Sequence, residues 1–509
     1  MLKYGNFQMK EEPLQGKKPR KEPMFYYVRM EQIVPENHLL RLVDKHIDFS
    51  FIGDKVKHLY SHTGRPSVDP EVLLRMLLIG YLYGITSERR LCEEVQMHIG
   101  YRWFVGLSLE DKVPDHSTFS KNRHERFSES DLFQGLFDGI VKQCLSKGLL
   151  TGKHLTVDST YIRANASFKS LEPIVVAMGS QEYMETLERE NPVEEKPWEP
   201  GDDYPHKGQK LSNRTHRSKT DPDARISRKS LNSGTALYHA ASYVMDNKSR
   251  IIVGASVGKP DKRTDCEKAL EEIRRIKWVY EIEPKSLGAD KGYGAGEFLY
   301  HLIGEKIAPH IPLADYRSQN EKGIYPIERF ILDEARDVFM CPEGKTMKFW
   351  GVHRHSKQRV YRASIKDCKV CQKKAECTRD RSRSVSRHIY EDFIHIVRQL
   401  HKTKEYKISQ RMRKRIEELF GEAKEWMGLG RAKFRGVIWI KEQVLMTATA
   451  QNIKRMVNLL SRGRRRVGAI SIPQPLGLSK INGSLKFFNW ISQNIRRIQF
   501  ADRSCFERA

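Results

Sequence analysis

The chain has 509 residues, and its 90 Lys and Arg against 64 Asp and Glu give a formal net charge of +26. That length holds about two to four domains, and so basic a balance makes a polyanion the leading partner. Helical membrane spans are excluded because the longest apolar-rich run, Val72 to Tyr83, is short and broken by Arg75, and eight cysteines in so long a chain exclude a secreted disulfide framework.

Residues 1–24 are polar, basic and proline-containing, with no apolar signal core, so a loose arm on a cytoplasmic protein is expected. Residues 25–135 read as helical. One helix runs from Val68 to Tyr83, with Asp69-Pro70 as its start signal. A second opens at Thr86-Ser87-Glu88 and carries Arg89, Arg90, Leu91 and Val95. A third restarts at Pro114-Asp115-His116 and carries Lys121, Arg123, His124 and Arg126. Short helices with basic faces suit a helix-turn-helix DNA reader, with Arg123 among its DNA contacts. A plain helical bundle with solvated Arg and Lys has the same pattern.

From Leu150 the pattern turns to strands. His154 to Ile162 is rich in Thr, Val and Tyr. Residues 168–235 read as an insertion, acidic from Glu182 to Asp203 and basic from Lys207 to Lys229. Tyr238 to Met245 and Arg250 to Val257 form a hairpin about Asp246-Asn247-Lys248-Ser249. A helix from Cys266 to Tyr280, a strand from Ser286 to Asp290 and a helix from Ala295 to Ile303 follow. Antiparallel strands leading into an αβ unit predict an α+β fold, a mixed sheet with flanking helices. An apolar helix from Val444 to Leu460 precedes a basic tail, residues 461–509, in which Arg464 and Arg465 suit phosphate contacts.

Three carboxylates stand out. Asp158 lies within a strand, where an unpaired charge is costly unless a metal or a cleft satisfies it. Asp290 ends a strand before Lys291-Gly292; a turn-forming Asp looks the same. On a helix, Arg413, Glu417 and Lys424 fall within an arc of about 40°, bordering an apolar stripe of Met412, Ile416, Leu419 and Ala423. Glu418, Glu422 and Glu425 point away from that stripe, which favours Glu417 as the functional acid. An ordinary i, i+4 ion pair of Arg413 with Glu417 is the plainer alternative. Separately, Cys341, Cys368, Cys371 and Cys377 have spacings that suit a tetrathiolate zinc site, with His353 or His355 as substitute ligands. Unligated thiols in a loop fit as well.

Together these motifs resemble the DDE-type transposases of bacterial insertion sequences, in the branch whose third carboxylate lies in a Tyr-x2-Arg-x3-Glu-x6-Lys helix. Arg413-x3-Glu417-x6-Lys424 matches, while Gln410 stands at the Tyr position. The resemblance implies an RNase H-like catalytic core preceded by an all-helical, helix-turn-helix-like domain. The expected divisions are a helical DNA-binding domain at 25–135, a first core part at 150–305, a cysteine-bearing insertion at 306–400 and a second core part at 401–460. It also implies that Asp158, Asp290 and Glu417 are catalytic and hold two Mg²⁺ ions, with Mn²⁺ as a substitute. Arg413, Lys424 and Lys291 would contact DNA, and a homodimer would pair two double-stranded element ends with a target. A metal-dependent nuclease of the same fold without strand transfer, or a non-enzymatic DNA-binding regulator, remains open at this point.

Overall fold

The computed structural model describes residues 27, 29–60, 67–122, 127, 131–174, 211–229, 234–313, 324–353 and 357–466, with side chains as far as residue 461. The N-terminal part is helical: α1 (Leu39–His46), α2 (Pro70–Tyr83), α3 (Glu88–Met97), α4 (Ile99–Val105), α5 (His116–Lys121) and α6 (Leu132–Ser146). The expected start signals act as caps. Asp69 accepts from the Glu71 amide at 2.8 Å and Asp115 from the Ser117 amide at 2.8 Å, each satisfying a donor that the first turn cannot pair. Arg102 on α4 is buried and donates to the carbonyls of Ser108, Leu109 and Asp111, so this cation holds a loop.

The central sheet is built from β1 (His154–Arg163), β2 (Ala236–Asp246), β3 (Ile252–Gly258), β4 (Ser286–Gly288) and β5 (Ala308–His310). Its order is β3-β2-β1-β4-β5. β2 runs antiparallel to β1 and β3, while β1, β4 and β5 are parallel. Helices α7 (Lys262–Tyr280) and α8 (Gly296–Gly304) make the crossovers to β4 and β5. Helix α7 starts a turn earlier than its apolar pattern suggests, because Asp261 caps it by accepting from the Thr264 amide at 2.8 Å. The described part of the expected 168–235 insertion is joined to this sheet, since Arg225–Ser227 pairs with the start of β2.

Residues 324–388 form a second, antiparallel sheet, a meander of β6 (Ile331–Asp333), β7 (Val338–Met340), β8 (Thr346–His353), β9 (Gln358–Ala363) and β10 (Ser384–His388). It has its own small core of Phe330, Phe339, Met347, Tyr361, Ala363 and Val385. The chain then returns to the central sheet through α9 (Glu391–Leu400), α10 (Lys404–Arg413), α11 (Arg415–Trp426) and α12 (Val437–Arg466).

Helix α12 ties the molecule together. It packs on α1, α2, α6 and β3, and one continuous apolar core runs from Leu40 to Val457. Its buried amides replace missing partners. Asn452 accepts from the Ile252 amide at 2.8 Å and donates to the Ile252 carbonyl at 2.7 Å, completing the β3 edge as a neighbouring strand would. Gln451 donates to the Leu419 carbonyl of α11 at 2.8 Å. Among the described residues, no helix is long and apolar enough to cross a membrane.

Gly84 caps α2 with φ +71°, and a Cβ there would collide with the Trp426 carbonyl that ends α11. Both the left-handed backbone and the close approach require glycine. Gly84→Ala is expected to lower unfolding stability by more than about 1 kcal/mol, read as a lower urea midpoint at unchanged slope.

Candidate active site

The register of the sheet places the first two carboxylates. Pairing of β1 with β4 ends at Thr156 opposite Gly288. Asp158 and Asp290 each lie two residues further on, at the same level, where β4 has ended and the edge of β1 opens. Strand alternation then sorts the β1 side chains. Asp158 and Thr160 face α10 and α11, whereas Tyr161 faces the start of α7, its hydroxyl donating to the Pro260 carbonyl at 3.2 Å.

The helical arc also closes on this edge. Arg413 Nη1 lies 3.7 Å from Asp158 Oδ2 and 3.2 Å from Glu417 Oε1, so one guanidinium bridges two of the three carboxylates. Lys424 Nζ donates to Thr160 Oγ1. The three residues do not share one unbroken helix, because α10 ends at Arg413 and α11 begins at Arg415. The break at Lys414 leaves their common face intact. Glu417 is 56% exposed and Asp158 only 17%, giving one carboxylate open to a ligand and one held inside. Of the neighbouring acids, Glu418 is exposed and pairs with Arg250. Glu422 differs from its expected outward position: it is partly buried against Lys454 and Gln451.

Burial pushes the Asp158 carboxyl up to about 7, and the negative charges of Asp290 and Glu417 push the same way. The Ser159 amide, at 2.8 Å, and Arg413 oppose them. Burial, with Lys229 nearby, brings the Lys424 ammonium down to about 8. Asp290 is held by the Gly292 amide at 2.8 Å, and Lys291 beside it is exposed. At the expected Tyr position, Gln410 turns inward and donates to the carbonyls of Ala289 and His310, fixing the strand end from which Asp290 projects.

A fourth acid escaped the sequence pattern. Asp265, in the first turn of α7, is raised to about 6 by burial and by Asp261 and Asp290, against a hydrogen bond from Ser159. Only the fold brings α7 beside β1, so no local motif marks it. Arg123 lies outside the described residues, as do the side chains of Arg464 and Arg465.

Among the described residues, no three His, Cys, Asp or Glu side chains converge closely enough to hold a metal ion by themselves. Mg²⁺ does not require that. It keeps several waters and is commonly held by one or two carboxylates together with substrate phosphates. The donors here are hard oxygens, and the burial, with the added repulsion from Asp290 and Glu417, that suppresses Asp158 ionisation is what a cation would offset. The residues fit such an ion.

Residues 28–125 match the family model described as a transposase domain, DUF772, and residues 340–457 match the transposase DDE domain. No curated protein matches the chain. Among solved structures, a cryo-EM structure of the piggyBac transposase synaptic complex with hairpin DNA is 9% identical, with a TM-score of 0.31, covering 87% of each chain. The Mos1 transposase paired-end complex with left transposon end is 10% identical, with a TM-score of 0.15, covering 49% of this chain and 60% of that one. Neither likeness is strong enough to add to the family matches. The chain thus carries a transposase domain in its N-terminal helices and a transposase DDE domain reaching through the helices that carry Arg413, Glu417 and Lys424.

Proposed function

We propose that the protein is an insertion-sequence transposase that binds the ends of its element, cuts them and joins them to target DNA, using Asp158, Asp290 and Glu417 in an RNase H-like core. The observation that carries this reading is that Arg413 bridges Asp158 of β1 and Glu417 of α11 at the open edge of β1, with Asp290 two residues beyond the end of the β1–β4 pairing. The sheet order β3-β2-β1-β4-β5, with β2 alone antiparallel, supports the core assignment. The net charge of +26 supports a DNA partner.

Bound divalent ions, Mg²⁺ with Mn²⁺ as substitute, would supply charge neutralisation for an in-line displacement at phosphorus. Asp158 and Asp290 would hold them from the sheet, and Glu417 from α11. Arg413, bridging Asp158 and Glu417, keeps the carboxylates oriented while no ion is bound. Lys424 and Lys291 flank the acids and would meet phosphate oxygens; Arg123, Arg464 and Arg465, which lie outside the described side chains, are proposed as further DNA contacts from their sequence setting. Two element ends require two copies, so a homodimer is the expected working form, in the cytoplasm with the DNA. Structural zinc at the four cysteines is a separate matter with no part in this chemistry.

The test is incubation of the purified chain with a labelled element-end duplex and a target plasmid. Cleaved and joined products in Mg²⁺, absent with EDTA, are expected. Cleavage without joining would reduce the reading to a nuclease, and tight binding without either would overturn it.

A further inference from the structure

The second sheet is too small for what it has to hold. Its strands β6 and β7 have three residues each, and its core has six buried side chains. Cores of that size rarely stabilise a module without a disulfide, a metal or a partner. No disulfide is present among the described cysteines: Cys341, Cys368, Cys371 and Cys377 are all free and partly buried.

The four thiols gather at one end of this sheet. Cys341 opens the tight turn from β7 to β8. Its sulfur accepts from the Lys345 amide at 3.3 Å, and its carbonyl from the Gly344 amide at 2.8 Å. Cys368 lies in the turn Ile365–Lys369, its amide donating to the Ser364 carbonyl at 3.1 Å, Cys371 starts the next turn, and Cys377 ends Lys374–Cys377. Cys341, Cys368 and Cys377 border the same six-residue core. Lys345, Lys366, Lys369, Lys373, Lys374 and Arg383 lie along these turns and would offset the negative charge of a metal-bound tetrathiolate.

We propose that Cys341, Cys368, Cys371 and Cys377 bind one zinc ion as a tetrathiolate, and that this ion staples the β7–β8 turn to the helical turns before β10. The sulfurs do not converge to ligand distance in this structure, so binding requires the turns that carry them to close on the ion. His353, considered above as a substitute ligand, is excluded: it ends β8, more than about 20 Å along the strand from the Cys341 turn. His355 lies outside the described residues.

The test uses the full chain expressed with zinc in the medium and measures bound metal and thiol reactivity. About one zinc ion per chain is expected, released when the thiols are modified. Cys371→Ser, the ligand that does not border the small core, should lose the metal and make residues 324–388 the first site of proteolysis. Cys92→Ser, on α3, should keep both metal and resistance. Replacement of zinc by Co²⁺ should give the absorption of a four-thiolate site. A folded wild type without zinc, or a Cys371→Ser variant with full zinc, would overturn the proposal.

Discussion

Replacing Asp158, Asp290 or Glu417 by alanine, one at a time, is expected to remove cleavage of element-end DNA by about three orders of magnitude or more, the scale on which loss of one member of a cooperating catalytic unit is felt. Binding to the ends should survive. The reasons are separable in the structure. Each acid comes from a different segment, β1, the turn after β4 and α11, and none supports the apolar core. Phosphate affinity is carried by basic residues spread along the chain, so removing one negative charge does not weaken it. Gel-shift binding measured beside single-turnover cleavage distinguishes the two effects. A variant that keeps cleavage within tenfold of wild type would remove that residue from the active site.

The second large effect concerns stability without metal. Asp158 has its pKa raised in the folded chain from the ordinary 3.8 to about 7, chiefly by burial. Between those values the folded state binds a proton that the unfolded state releases. This group therefore makes the metal-free fold less stable as pH rises from about 4 to about 7, after which its contribution levels off. The difference between the two values sets a ceiling of about 4 kcal/mol. Asp158→Asn, which cannot ionise, is expected to melt higher than wild type at pH 8 in EDTA, with the gap closing toward pH 4. Adding Mg²⁺ should raise the wild-type melting temperature and leave the variant nearly unmoved. Equal melting of the two proteins at pH 8 and pH 5 in EDTA would refute a buried, strained carboxylate at this position.

Much of the candidate site was legible in the sequence because local chemistry marks its residues. Asp158 interrupts a β-rich run, Asp290 precedes a glycine turn, and the face shared by Arg413, Glu417 and Lys424 follows from helical geometry alone. What could not be read depends on tertiary neighbours. Asp265 sits in an ordinary helix start and becomes an active-site neighbour only when α7 crosses to β1. The inward turn of Gln410 needs the carbonyls of Ala289 and His310, from a segment 100 or more residues away. In the meander at 324–388, the three-residue strands β6 and β7 are too short for alternation to register. The one-residue break at Lys414 has no proline or glycine to announce it.

Helix α12 bears on how this protein can be taken apart. Since α1, α2 and α6 bury their apolar sides on the same rod that completes the edge of β3, the N-terminal helices are not a detachable reader. A fragment beginning near Leu150 would bare the flank of α12 to water and should aggregate rather than work as a minimal nuclease. Swapping residues 28–125 between relatives to change end recognition would have to carry the matching face of α12 with it. Changes in end specificity and changes in this helix should therefore be selected together.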